Sequence, residues 1–278
     1  MVQPQKSRPA MVAGMFYSDK KSQLDRDVAL YLESAPDLKI TGEILGLIAP
    51  HAGYMYSASI AARAYRQIID RNIEIVAVIS PSHREYFTEI SVYDGFAYET
   101  PLGYIPVDRE RTKALTELYP QIILSEKGHR FEEHALEVQL PLLQKVLENF
   151  QLIPIVIGEQ NQENINNLAH ALASILKNQK FLIVASSDLS HFYDSDKAKI
   201  LDSTVINDIE NFDEEALLRH LDQGTCEMCG GGPVVATMKA CKLLGANNSQ
   251  VIQYRTSGDV TGDFNEVVGY LSAVFYKI

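Results

Sequence analysis

The chain has 278 residues, 46% of them hydrophobic, enough to fill one large α/β domain or two small ones. Thirty-six acidic against 25 basic residues leave a net charge of −11 with no basic cluster to offset it, which argues against a nucleic-acid partner. No apolar stretch approaches the roughly 18 to 20 residues of a membrane helix, and the N-terminus lacks the apolar core of a signal peptide, so a cytoplasmic protein without a membrane partner is expected.

Past an irregular N-terminal arm, residues 20–32 read as a helix with Leu24, Val28 and Leu32 on one face. A buried strand follows at 44–49 and runs into Pro50-His51. Ser57 is the expected N-cap of an alanine-rich helix through Ile69, whose Ala58, Ala61, Ala62 and Ala64 let it approach the sheet. A strand at 74–79 completes a βαβ unit and runs into Ser80-Pro81-Ser82-His83. Residues 88–107 alternate and carry turn signals at Asp94-Gly95 and Pro101-Leu102-Gly103, the pattern of an antiparallel ribbon. Leu136, Leu140, Leu143 and Leu147 recur at helical spacing, and Pro141 either starts that helix or kinks it.

The alternation resumes with a strand at 152–157, a helix at 162–177 and a strand at 181–185 that leads into Ser186-Ser187-Asp188-Leu189-Ser190-His191. Helices are expected over 197–209 and 214–221, and another from Pro233 to a stop at Gly245. Strands at 251–256 and 266–276 close the chain. With no repeat, low-complexity tract or linker, residues 1–278 read as a single α/β domain, its central sheet mostly parallel and flanked by helices.

Three apolar runs thus end in turns that carry a histidine. Ligands of open α/β sheets bind just beyond the carboxyl ends of such strands, so the turns are expected to converge on one pocket. Histidine is a common ligand for borderline metals, and His51 and His83, after equivalent strands, fit two places in a metal site. Cys229, near a helix N-terminus that favours a thiolate, is the candidate third ligand, whereas Cys241 reads as core. Cys226 and Cys229 form a C-x-x-C pair, but a zinc ribbon needs a second pair and the chain has three cysteines in all. Asp188 and His191 either point together into the pocket or bond to each other, unless Asp188 or Ser190 caps the next helix. Glu132, Glu133, His134 and Glu137 form a second acidic-histidine cluster; a solvated face explains its glutamates at least as well as function does, while His134 can reach inward. His129, His170 and His220 are expected at the surface. No Walker loop, G-x-G-x-x-G or G-x-S-x-G occurs.

Seven segments taken together are recognisable: Arg8 to Tyr17, Ala49 to Tyr54, Pro81-Ser82-His83, Thr100 to Gly103, Glu133 to Pro141, Ser186 to His191, and Cys229 to Pro233. In this order the chain resembles the Memo family, also called the AmmeMemoRadiSam system protein B family. The resemblance implies one domain similar to the class III extradiol dioxygenases, non-haem iron enzymes that open catechol rings. It also implies metal positions at His51, His83 and Cys229, pocket residues at Asp188 and His191, and a proton-transfer role for His134. Association with radical SAM and AMMECR-type proteins is a further implication. Tyr54 and Glu137, within the matching motifs, are candidate substrate contacts.

A ring-cleaving site holds iron with two histidines and a carboxylate, and here cysteine replaces the carboxylate unless Asp188 supplies it. Three functions follow as expectations. The first is a non-haem redox protein of dioxygenase ancestry, with iron as the leading cofactor and copper or zinc as alternatives, acting on a small molecule or peptide. The second is a non-catalytic protein that binds a peptide or small ligand in the same pocket, and the third a zinc-dependent hydrolase.

Overall fold

Apolar runs separated by amphipathic segments build a layered α/β structure, seen in a computed structural model that describes residues 6–278. Residues 1–5 of the N-terminal arm lie outside the described residues. After β1 (Ser7–Arg8), helix α1 (Lys21–Ser34) buries Leu24, Val28 and Leu32, as their spacing predicts. β2 (Glu43–Ala49) leads to α2 (Tyr54–Arg66), which starts earlier than expected and is capped by Gly53. The N-terminal arm causes the early start: the Phe16 carbonyl accepts the Tyr54 N–H at 2.7 Å. Ser57 therefore lies inside the first turn, where its hydroxyl donates back to the Ala52 carbonyl.

β3 (Ile75–Pro81) follows, and the expected ribbon at 88–107 divides between two sheets. β4 (Ile90–Tyr93) joins the main sheet, whereas β5 (Ala97–Thr100) and β6 (Gly103–Pro106) form an antiparallel hairpin paired with β1. Asp108 caps α3 (Arg109–Leu118), which precedes β7 (Ile122–Ser125). A 3-10 turn (Glu137–Gln139) runs into α4 (Leu140–Val146), and Pro141 lies in its first turn, so the proline starts the helix instead of kinking it. The rest alternates nearly as read: β8 (Gln151–Ile157), α5 (Gln162–Leu176), β9 (Phe181–Ser186), β10 (His191–Tyr193), α6 (Ser195–Glu210), α7 (Glu214–Asp222), α8 (Gly231–Leu243), β11 (Asn248–Thr256), α9 (Gly258–Thr261) and β12 (Val267–Lys277).

The main sheet has the order β10-β12-β2-β9-β3-β8-β4-β7, with β11 also paired to β12. Its four central strands, β2, β9, β3 and β8, run parallel, and antiparallel partners flank them, so the sheet as a whole is mixed. One face is covered by residues such as Leu168, Leu172, Val205 and Val234, the other by Leu24, Val28, Ala61, Tyr65 and Leu143. Burial on both faces explains why the central strands are continuously apolar. β2 and β3 are not neighbours, as their βαβ connection suggested, because β9 lies between them. Among the described residues no helix is long and apolar enough to cross a membrane.

Glu137 pins the N-terminal arm to this core. Fully buried, it is paired with Arg8 and accepts the N–H groups of Met11 and Val12 and the hydroxyl of Tyr17. The other Arg8 nitrogens donate to the His129 and Glu133 carbonyls. Removing one member of such a pair strands a buried charge. Glu137→Gln is expected to cost about 3–5 kcal/mol in urea denaturation. Lys180→Ala, which removes an exposed partner of Glu74, should cost less than about 1 kcal/mol.

Candidate functional site

The turns after β2, β9 and β3 meet at one end of the sheet. His51 is 1% exposed, with Nε2 3.2 Å from Cys229 Sγ and Nδ1 2.9 Å from Ser186 Oγ. The His83 ring lies edge-on to it, with centroids 5.1 Å apart. One donor atom from each of His51, His83 and Cys229 lies within 4.8 Å of the other two.

Glu133 orients His83. Its carboxylate accepts the His83 backbone N–H and lies 3.1 Å from Nδ1. An ionised carboxylate only accepts, so Nδ1 carries the hydrogen and Nε2 keeps the free lone pair. The same carboxylate accepts the N–H groups of His134 and Ala135. The expectation of a solvated face fails here, since Glu133 is 1% exposed. Phe131 (φ 54°) and Glu132 (φ 61°) are consecutive left-handed residues that turn the chain inward, a strained conformation with no signature in the side-chain pattern. Burial opposes ionisation of Glu133, but the His83 ring and the His83 and Ala135 N–H groups outweigh it and hold the carboxyl at about 2. His83, Glu133 and His134 also lie close enough to suggest a second cation site. Glu133 already accepts four hydrogen bonds, which favours a positioning role over ligation.

His134 stacks between Phe16 and His83, with centroids 4.4 and 4.7 Å away, and its buried Nδ1 has no hydrogen-bond partner. Burial, then the neighbouring imidazoles, push it down to about 3, so it is neutral at physiological pH.

Asp188 lies between the turns. One carboxylate oxygen accepts the His51 N–H at 2.7 Å, its own N–H points at Cys229 Sγ at 3.3 Å, and its carbonyl accepts the Cys229 N–H at 3.2 Å. Burial raises its carboxyl to about 6 against the pull of the His51 N–H. Among the described residues no hydrogen bond joins Asp188 to His191, and Asp194, not Asp188 or Ser190, caps α6. His191 instead lines a cavity of about 490 Å³ together with Cys226, Cys229, Gln160 and Leu221.

Cys229 reaches the pocket because Gly230 packs against β9: a Cβ there would lie 2.4 Å from the Ser186 carbonyl oxygen. α8 begins at Gly231, so Pro233 is its third residue and not its first. The helix N-terminus does not produce a free thiolate. Burial, with the Asp188 carboxylate beside it, pushes the thiol up to about 12, so an arriving cation would have to displace a proton. Burial likewise raises Cys226 to about 12, and Cys241 is fully buried core.

Two candidate substrate contacts have other tasks. Tyr54 is buried and its hydroxyl donates to the Val138 carbonyl. Glu137 holds Arg8 and the N-terminal arm, leaving no face toward the pocket. His129 is also not the surface residue expected: it is buried against the Tyr98 hydroxyl, and burial together with Arg8 holds it at about 3. His170 is exposed, and His220 is half-buried and paired with Asp208 at 2.7 Å.

Glu133→Gln keeps the shape but leaves donors unpaired, and should cost about 1–3 kcal/mol at pH 7. The folded carboxyl titrates near 2, below its ordinary 4.5. Its ionic stabilisation is therefore complete above about pH 4.5 and is lost as pH falls through 2. Urea midpoints for wild type and variant should converge over that window.

A family model described as Memo-like protein matches residues 8–274. A MEMO1 family protein of Methanobrevibacter smithii is 37% identical over 96% of this chain and 99% of its own. One from Aquifex aeolicus is 36% identical over 96% and 98%. A solved structure, an uncharacterized protein JW3007 from Escherichia coli K12, shares the fold at TM-score 0.53 and 14% identity, covering 83% of this chain and 99% of that one. On the family model and the near full-length relatives, the chain belongs to the Memo family.

Proposed function

We propose that this Memo-family protein is a metal-binding redox protein that holds an ion through His51, His83 and Cys229. The observation that carries the reading is the approach of two imidazoles and one thiol, each offering a donor atom within 4.8 Å of the others. Imidazole and thiolate together suit iron, copper or zinc, and iron or copper bound there would supply electron transfer and open positions for a substrate. Asp188 fits a supporting role better than a ligand's, because the His51 N–H occupies one of its oxygens. With a thiol in place of the carboxylate of ring-cleaving enzymes, oxidation chemistry is favoured over insertion of dioxygen into a ring.

The protein's own residues would handle protons and the ligand. His134, neutral and stacked on His83, would relay a proton for a molecule beside His83 without resting in its protonated form. His191 faces the cavity beside Cys229, where it can exchange protons with a bound ligand or with solvent. That cavity, about 490 Å³, suits a small molecule or the end of a peptide.

Protein purified without oxygen should contain close to one equivalent of a transition metal by elemental analysis, and Cys229→Ser should lose most of it. Oxygen uptake or metal reduction with added catechols or thiols then tests the redox role. Absence of metal above background in wild type would sink the proposal. Bound zinc with oxygen-insensitive turnover would replace it with hydrolysis, and ligand binding that survives loss of the metal would replace it with a binding protein.

A further inference from the structure

His51 can carry its hydrogen on either ring nitrogen, and only one choice leaves Nε2 able to accept at the thiol or donate a lone pair to an ion. The surrounding hydrogen bonds decide between them. The Gln139 side-chain nitrogen lies 3.0 Å from the Pro50 carbonyl and 3.3 Å from that of Ala49. Carbonyls only accept, so this end of the amide is its NH2 group, and its other hydrogen goes to Ser186 Oγ at 2.7 Å. The opposite end of the amide accepts the Tyr65 hydroxyl at 2.8 Å, which agrees with that orientation. Ser186 has one hydrogen, and the Ala135 carbonyl, 2.6 Å away, takes it. Having donated once and accepted once, Ser186 Oγ can only accept from His51 Nδ1 at 2.9 Å.

We infer that Gln139 and Ser186 are positioning residues that force the hydrogen of His51 onto Nδ1 and hold Nε2 as a bare lone pair aimed at Cys229 Sγ. Three backbone carbonyls, of Ala49 and Pro50 at the exit of β2 and of Ala135 in the turn before α4, set the direction of the whole chain of bonds. Glu133 imposes the same choice on His83, so both rings present the equivalent nitrogen. The consequence for metal affinity rests on the proposed ligand set; the tautomer itself does not. A group that orients a ligating imidazole in this way is worth about 10- to 100-fold in metal affinity.

Nitrogen-15 NMR of the ring nitrogens in metal-free wild-type protein should show His51 with its hydrogen on Nδ1. Ser186→Ala removes the acceptor and should move the hydrogen wholly or partly to Nε2, with an unchanged far-ultraviolet circular dichroism spectrum. Zinc binding to the same variant, measured against a chromophoric chelator, should weaken about 10- to 100-fold relative to wild type. A hydrogen on Nε2 in wild type would overturn the inference, and this result needs no variant to fold. So would a folded Ser186→Ala with the wild-type tautomer or wild-type zinc affinity. If wild type binds neither zinc nor iron(II) nor copper(I), the metal reading fails, while the wild-type tautomer still decides whether Gln139 and Ser186 direct His51.

Discussion

The seating of β9 between β2 and β3 governs the geometry of the pocket. Parallel pairing places the carboxyl ends of the three strands side by side, so that Pro50-His51, Ser186 to Asp188 and Ser82-His83 emerge as neighbouring turns. Ser186 and Asp188, on the middle strand's exit, bond directly to His51 on one side and meet Cys229 on the other. With β2 and β3 adjacent, no backbone between the two histidines would be available for these contacts. The approach of Gly230 to the Ser186 carbonyl depends on the same strand and brings the thiol within reach of the rings.

Around that frame the buried carboxylates of Glu137, Glu133 and Asp188 are each held by donors from a distant segment. Glu137 binds the N-terminal arm, Glu133 binds the turn after β3, and Asp188 binds the turn after β2. Buried charges of this kind add little net stability, but an incomplete set of partners is costly, so they select one arrangement of the loops over its alternatives. The loops at the pocket are thereby fixed by polar bonds, while the strands beneath are fixed by apolar packing. This separation lets the histidine-bearing turns stand at the end of a core that is continuous on both faces of the sheet.

Much of this was legible in the residues. Apolar runs bounded by polar turns located β2, β3, β8 and β9 within a residue or two, because strands buried on both faces admit almost nothing else. The histidine turns and Cys229 could be picked out since few residue types carry such chemistry, and His51, His83 and Cys229 do come together. Glu133 was less visible: a glutamate beside another glutamate looks solvated, and only the two left-handed residues before His134 reveal that it points inward. Tyr54 and Glu137 lie in motif segments near the pocket, yet their polar atoms are taken up by Val138 and by the N-terminal arm. His129 read as a surface loop residue because its burial depends on Tyr98 and Arg8, both far away in sequence.

By itself, then, the sequence determined the α/β class, the order of most central elements, the family and the side chains able to bear chemistry, all of which follow from local pattern and residue type. The tertiary structure decided which strand lies in the middle, which carboxylates face inward and which hydrogen bonds aim each imidazole. Those outcomes depend on partners 40 to 140 residues apart, such as Ser186 with His51, Glu133 with His83 and Glu137 with the arm, for which no spacing rule exists. The Ser186 hydroxyl shows the difference most clearly: in the sequence it is one serine in a polar turn, and in the fold it has a single hydrogen whose direction is set by the Ala135 carbonyl.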